Sequence, residues 1–228
     1  SAQSYSGGTS VQQGTLRLGA NSRLLSTGSM FLFANGTFDL NGFSQTVGDL
    51  SGPGTVAIGT GSFTAGTASN RTFAGRFTGA GSFTKAGSGT LTLTGDSSGF
   101  TGGTTVAAGT LLANANLADS AVMVLSGATL GGLGAVGDVT VASGGTLAGA
   151  QGQTLTTADL SLASGSIVSV RLATPGDGTP LFTVNGDLTL DGTLNAADAG
   201  GFGQGLYRLF NYAGSLTDNG LDIGTLPL

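Results

Sequence analysis

The first candidate for chemistry in this chain is a serine motif, Gly95-Asp-Ser-Ser-Gly99, which fits the Gly-x-Ser-x-Gly pattern of a catalytic nucleophile. Such a serine needs a strand before it, a helix after it and a general base within hydrogen-bond distance. The sequence contains no histidine, and no segment after Gly99 reads as a helix. Because glycine accepts positive φ, and Asp and Ser bond to nearby backbone groups, we interpret the motif as a turn.

Three glycine triplets resemble pieces of phosphate-binding loops. They are Gly52-Pro-Gly54, Gly79-Ala-Gly81 and Gly87-Ser-Gly89. Loops of that kind hold phosphate with the backbone N–H groups of a helix that begins directly after them. No helix is indicated after any of the three, so we interpret them as turns.

Aspartate supplies all twelve acidic residues of the chain. Asp187 and Asp191, with Asn185 nearby, are candidate calcium ligands, but a strand would place both aspartates on one face without a closing loop. No pair of carboxylates has the surrounding aromatic and basic residues expected of a glycosidase site. The chain also lacks Cys and His as ligands or bases. We therefore predict no catalytic residue, no metal site and no cofactor, and we expect that the chain is not an enzyme.

The composition favours an all-β protein. Of 228 residues, 44 are glycine and 8 % are charged, so the residues that favour helix surfaces are scarce. The mean hydropathy of +0.28 excludes the hydrophilic, highly charged class of disordered chains. Residues 1–85 carry five basic residues against two aspartates, whereas residues 86–228 carry two arginines against ten aspartates. Positive charge this sparse predicts that no nucleic acid is bound.

A short motif, Gly-Thr-Leu or a close variant, recurs along the chain. It begins at Gly14, Gly36, Gly54, Gly89, Gly109, Gly127, Gly145 and Gly165. Successive starts lie roughly 20 residues apart, a spacing typical of solenoid repeats. The longer step from Gly54 to Gly89 we interpret as two coils. A repeat of this length, made of short strands and glycine turns, predicts a parallel β-helix (solenoid) of about eleven coils stacked about 4.8 Å apart.

Period-two alternation predicts which side chains fill the interior of the solenoid. The inward set is Leu16, Leu18, Phe38, Leu40, Val56, Leu91, Leu93, Val106, Leu111, Val122, Val124, Val139, Val141, Leu160, Leu162, Val168, Val170, Leu188 and Leu190. Phe73, Phe77 and Phe83 recur near-regularly, and we interpret them as a stack inside successive coils. The alternative is an exposed aromatic binding face.

Residues 81–112 resemble the passenger-associated transport repeat of bacterial autotransporters. The shared pattern is Lys-x-Gly-x-Gly-Thr-Leu-x-Leu, a short turn, an aromatic residue with Thr-Gly-Gly-Thr-x-Val, and Gly-Thr-Leu. Its matching positions are Lys85, Gly87, Gly89, Thr90, Leu91, Leu93, Gly95, Phe100, Thr101, Gly102, Gly103, Thr104, Val106, Gly109, Thr110 and Leu111. Tyr5–Leu16 aligns on Phe100–Leu111 with an offset of 95 as a truncated second copy. The segment Phe38–Leu50 is similar to another passenger signature.

The resemblance implies a single-stranded, right-handed parallel β-helix of the pertactin-like type. It implies that residues 1–152 form the passenger stem and that residues 153–228 form a C-terminal autochaperone cap, with Gly205, Tyr207, Arg208 and Leu209 as its recognisable core. An outer-membrane β-barrel is expected to follow. The absence of Cys suits a passenger that crosses the outer membrane largely unfolded.

For function, the resemblance leaves two classes open. The first is a cell-surface adhesin of a Gram-negative bacterium that binds host cells or matrix, with this segment supporting its secretion and folding. The second is an inert stem of an enzyme or toxin whose catalytic domain lies upstream. Exposed Thr and Ser ladders also suit self-association of rods face to face.

Overall fold

The computed structural model of this protein describes residues 7–176 and 178–227 as a parallel β-solenoid. The described residues form 27 strands and no helix, so none of them belongs to a helix able to cross a membrane. The strands are parallel to their neighbours throughout. The predicted all-β parallel solenoid is therefore confirmed.

The strands belong to four sheets. Sheet 1 holds β1 (Thr9–Arg17), β2 (Met30–Asp39), β4 (Leu50–Ser51), β5 (Thr55–Gly59) and β8 (Arg76–Gly79). Sheet 2 holds β7 (Arg71–Phe73), β10 (Thr90–Leu93), β12 (Gly109–Ala113), β15 (Ala128–Gly131), β18 (Thr146–Ala150), β21 (Ile167–Leu172), β24 (Thr193–Asp198) and β27 (Asp222–Ile223). Sheet 3 holds β3 (Ser44–Thr46), β6 (Ser62–Ala65), β9 (Ser82–Lys85), β11 (Thr104–Val106), β14 (Val122–Val124), β17 (Val139–Val141), β20 (Leu160–Leu162), β23 (Leu188–Leu190) and β26 (Leu216–Asp218). Sheet 4 holds β13 (Asn116–Leu117), β16 (Ala135–Val136), β19 (Leu155–Thr157), β22 (Phe182–Val184) and β25 (Phe210–Tyr212).

Each coil from β11 onward contributes one strand to sheet 3, one to sheet 2 and one to sheet 4, in that order along the chain. The nine strands of sheet 3 are each one turn from the next, which gives about eight turns. The eleven coils expected from a constant period refer to the whole chain, whereas sheet 3 begins only at β3 and leaves out the coils of β1 and β2. The coils also lengthen toward the C-terminus. Val122 pairs with Val139, whereas Leu160 pairs with the more distant Leu188, so the later coil contains the longer stretch of chain.

The long step of the glycine motif, from Gly54 to Gly89, does not correspond to two coils of one column. Thr55, after Gly54, pairs with Thr37 in sheet 1, whereas Thr90, after Gly89, pairs with Thr110 in sheet 2. The motif thus changes face between the two positions. The interpretation as two coils is wrong because a glycine turn can precede a strand on more than one face of each coil.

The interior is one continuous hydrophobic core that runs the length of the described solenoid. Nearly all of the predicted inward set is buried; Leu16 and Leu190 are only half-buried. Phe73, Phe77 and Phe83 are fully buried, and the ring centroids of Phe77 and Phe83 lie 4.6 Å apart in a stacked arrangement. The stack extends to Phe63 and Phe100. The alternative of an exposed aromatic face is therefore wrong for these residues.

The C-terminal region continues the coils of the solenoid. Phe210 of β25 stacks on Phe182 of β22, and Tyr207 stacks on Phe202. Among the described residues, nothing covers the last coil: Ile223 pairs with the buried Leu194 but is 62 % exposed. The autochaperone cap therefore remains a prediction. So does the boundary between residues 152 and 153, which the sheets cross without interruption.

Candidate functional site

The serine motif at residues 95–99 is a turn between coils. Ser97 is buried, and its Oγ accepts a 3.0 Å hydrogen bond from the backbone N–H of Phe77 in the preceding coil. The backbone N–H of Ser97 donates to the carbonyl of Asn116, and Asp96 accepts from the N–H of Ser98. The serine hydroxyl is thus engaged in stacking the coils, as the turn interpretation predicts.

The glycine triplets are followed by strands rather than helices, since β5, β9 and β10 begin directly after them. The candidate calcium ligands do not converge either. Asp187 accepts a hydrogen bond from the N–H of Ser215, one coil further on, while Asp191 accepts from the N–H of Gly192 beside it. Across residues 7–176 and 178–227, no group of three ligating side chains could hold a metal ion. These aspartates cap turns.

The transport repeat forms the middle of the solenoid, from β9 to β12. The alternation in β9 points Phe83 and Lys85 inward and Ser82 and Thr84 outward. Lys85 lies in register between Ala65 and Val106 of the neighbouring coils and is only 1 % exposed. A lysine at an inward position of a solenoid is unusual because an ammonium group is costly to remove from water.

Three backbone carbonyls accept the three protons of the Lys85 ammonium. The Nζ atom lies 2.7 Å from the oxygen of Ala86, 2.8 Å from that of Gly87 and 2.9 Å from that of Ala108. These bonds satisfy the full donor capacity of the group. Burial nevertheless lowers the pKa of Lys85 below its usual value of 10.5. The lysine of the repeat therefore joins the turn after β9 to the turn before β12.

Two glycines of the repeat are required by the backbone. Gly109 has φ of +63°, a conformation that side chains rarely adopt. A Cβ atom on Gly102 would collide with the carbonyl oxygen of Gly81 in the preceding coil, whereas a Cβ on Gly103 would have its nearest neighbour at 4.0 Å. Gly102 thus allows the close approach of two coils, and Gly103 does not need to be glycine for that reason.

The first copy of the repeat does not occupy the same face as the second. Thr9 pairs with Met30, Met30 with Leu50, and the column continues through β7 and Leu91 to Leu111. Five coils therefore separate Thr9 from Leu111 of sheet 2, whereas the sequence alignment matches Thr9 with Thr104 of sheet 3. The copies are rotated by one face of the solenoid. Tyr5 and Ser6 of the first copy lie outside the described residues.

The outer surface of sheet 3 carries a column of hydroxyl side chains, which we call the hydroxyl ladder. Its members are in register across nine strands: Thr46, Thr64, Thr84, Thr105, Met123, Thr140, Ser161, Thr189 and Thr217. Met123, in the middle strand, is the single member without a hydroxyl and is 48 % exposed. Neighbouring members are about 4.8 Å apart along the solenoid axis.

A second outward column lies two residues before each member of the ladder, at or directly before the start of each strand, and we call it the serine–aspartate column. It contains Ser44, Ser62, Ser82, Gly103, Ala121, Asp138, Asp159, Asp187 and Ser215. Its aspartates stabilise coil stacking, because Asp138 accepts from the N–H of Asp159 and Asp159 accepts from the N–H of Asp187. The column is neutral over its first five strands and acidic over the next three.

Comparisons with known proteins agree with this architecture. The family described as passenger-associated-transport-repeat matches residues 1–18 and 83–113. A relative from Brucella suis biovar 1 (strain 1330), named "Adhesin BmaC autotransporter", is 54 % identical over 74 residues. The aligned part is 30 % of this chain, and it covers 2 % of the relative's length. No solved structure matches the chain.

The repeat, the similarity to an autotransporter adhesin and the β-solenoid together support an autotransporter passenger segment. The name of the relative and the solenoid architecture also fit a non-enzymatic role. The sequence analysis counted Lys85 among the basic residues and among the positions that match the repeat, but it did not predict that the side chain is buried. The signal was present in Ser82–Lys85, where period-two alternation places Lys85 on the same side as Phe83.

Proposed function

We propose that this chain is a non-enzymatic stem of an autotransporter adhesin, displayed on the surface of a Gram-negative bacterium and anchored at its outer membrane. The transport repeat carries the proposal, because two separate segments match it. The 54 % identity to part of an adhesin autotransporter favours an adhesin over the stem of an enzyme. Its partners would be the outer-membrane barrel of its own protein and a ligand on host cells or matrix.

The architecture suits folding that proceeds coil by coil. Each strand pairs only with the coils before and after it, as β23 pairs with β20 and β26. A coil that has already folded therefore offers a template to the next one. Each added coil buries side chains such as Leu160 and Leu188, worth about 1.5–3 kcal/mol each. In secretion, folding of the C-terminal coils first would oppose return of the chain into the pore.

Deletion of residues 153–228 from the full-length protein tests the secretion role. We expect surface display, measured by antibody labelling of intact cells, to be lost, because the first coils to emerge would lack their template. The control removes residues 122–138, one coil, and joins Ala121 to Val139, which is the register partner of the deleted Val122 in the next coil; it should retain display. Full display of the first variant would refute the proposed role in secretion.

Adhesion is tested on the displayed chain itself. Cells that display residues 1–228 should bind immobilised host matrix more strongly than cells that display the barrel alone. If the chain adds no binding while the full-length protein binds, the adhesive region lies elsewhere and this segment is a stem only.

A further inference from the structure

We infer that Lys85 sets the register of its own coil on the next coil, because its ammonium selects the observed pairing of β9 with β11 over a pairing displaced by two residues. In this sense Lys85 is a positioning residue. The inference concerns the folding of this chain and does not depend on the proposed roles in adhesion and secretion. It rests on the three carbonyl contacts of the ammonium and on the residues that face one another across the two strands.

Period-two alternation leaves a second register open for β9 on β11. In the observed register Phe83 faces Thr104, and the next inward pair is Lys85 with Val106. A displacement by one residue would turn every inward side chain to the outer face, whereas a displacement by two keeps both faces as they are. With β9 advanced by two residues, Phe83 would face Val106. Apolar contact alone would favour this displaced register, because Phe83 would exchange a threonine for a valine.

The length of a coil does not prevent such a displacement. The coil from Val122 to its partner Val139 contains fewer residues than a later coil. That later coil runs from Leu160 to Leu188, so the solenoid accepts coils of different length. Registers in glycine-rich chains are also weakly specified by the strands themselves. The observed register of β9 therefore needs a specific contact.

The ammonium of Lys85 supplies that contact. Its acceptors Ala86 and Gly87 belong to the turn after its own strand and would move with it, whereas Ala108 belongs to the next coil. A displacement by two residues would move Nζ about 6.6 Å along the strand, beyond hydrogen-bond distance of the Ala108 carbonyl. A buried charged donor would then lack an acceptor. That loss outweighs one improved apolar contact.

The contact joins the two ends of the transport repeat. Lys85 opens the shared pattern, and Ala108 directly precedes its closing Gly-Thr-Leu. Lys85 is the one lysine of the chain, and the neighbouring coils have Ala65 and Val106 at its position. A single buried polar residue can specify register, as a buried asparagine does in coiled coils. The repeat thus carries a register mark for one coil of the solenoid.

Pairs of cysteines report the register, since the chain has no Cys of its own. Thr84→Cys with Thr105→Cys reports the observed register, in which these two residues are partners. Thr84→Cys with Ala107→Cys reports the displaced one, because in the observed register their Cα atoms are about 8 Å apart, too far for a disulfide. Each chain is refolded from urea under reducing conditions and then oxidised with diamide. The linked fraction is measured by mass spectrometry.

With Lys85 present, the pair at 84 and 105 should link rapidly, and the pair at 84 and 107 at least about tenfold more slowly. In Lys85→Met, the fraction of refolded chains linked through position 107 should rise at least about tenfold. Lys85→Gln keeps two N–H donors and should give an intermediate fraction. It is also the second variant to use if Lys85→Met does not refold. An unchanged fraction in the refolded variants would overturn the inference, because Lys85 would then stabilise the coil without selecting its register.

Leu93→Ala separates register from a general loss of packing. Leu93 lies in β10 of the same coil and is buried, so its truncation destabilises the core without removing a donor. This variant should be less stable than the wild type but should still link only through the pair at 84 and 105. Equal linkage through position 107 in Leu93→Ala and Lys85→Met would overturn the inference, because any weakening of the core would then displace the strand.

Discussion

The ammonium of Lys85 donates a 2.9 Å hydrogen bond to the carbonyl oxygen of Ala108, which lies one coil further along the chain. The same group also donates to Ala86 and Gly87, in the turn directly after its own strand. One buried side chain thus fixes the positions of two successive turns of the transport repeat. The following predictions test this contact and the packing around it.

Lys85→Met should destabilise the solenoid by about 2 kcal/mol, because three carbonyl oxygens lose their donor and methionine offers none. Thr92→Met, at an outward position of β10, should change the free energy of unfolding little. Urea unfolding followed by circular dichroism measures both. Equal stability of Lys85→Met and the wild type would show that water replaces the ammonium without cost.

The contribution of Lys85 to the free energy of unfolding should increase as the pH rises. Burial lowers the pKa of its amine in the folded chain below 10.5, so the unfolded chain binds more protons between the two pKa values. The wild type should therefore gain stability relative to Lys85→Met as pH increases toward 10.5, and the difference should level off above it. Urea titrations at several pH values between about 7 and 11 measure it, and a constant or falling difference would contradict the prediction.

Phe77→Ala should cost about 3–5 kcal/mol, since Phe77 is fully buried and contacts the rings of Phe73, Phe83 and Phe100. Phe33→Ala is the control, because it makes the same change at a residue that is 42 % exposed. The free energy of unfolding of this variant should be lower than that of the wild type by less than about 1 kcal/mol. Similar losses in the two variants would mean that the stack adds nothing beyond local contacts.

Adjacent glycines of the repeat provide a matched pair. Gly102→Ala should destabilise by about 1–3 kcal/mol, because the added Cβ forces the coil away from the carbonyl of Gly81. The Cβ added by Gly103→Ala has its nearest neighbour at 4.0 Å, so this change should be neutral within about 0.5 kcal/mol. Thermal unfolding measures the stability of both variants. A larger loss for Gly103→Ala than for Gly102→Ala would contradict the close approach of the two coils at Gly102.

The sequence was sufficient to predict the fold class and most of the residues of the hydrophobic core. Alternation in strands such as Thr90–Leu93 assigns each residue to a face, since side chains on a strand point to opposite sides in turn. Glycine-rich turns at near-constant spacing then make a solenoid the simplest solution. The interpretation of the 95–99 segment as a turn followed from the composition of the motif, and Ser97 Oγ accepts a hydrogen bond from a backbone N–H, that of Phe77, as serines in turns commonly do.

The sequence by itself therefore determined that this chain is a β-solenoid with a largely apolar interior, because period-two alternation and the spacing of the glycine turns can be read from local order. Only the tertiary structure decided how the coils stack. The column that begins at Thr9 reaches Leu111 rather than Thr104, its match in the aligned repeat, so identical motifs lie on different faces. Likewise, Thr105 and Met123 share a column only because of the length of the coil that joins them. Coil length is set by how each turn packs on its neighbour, and that information is not local.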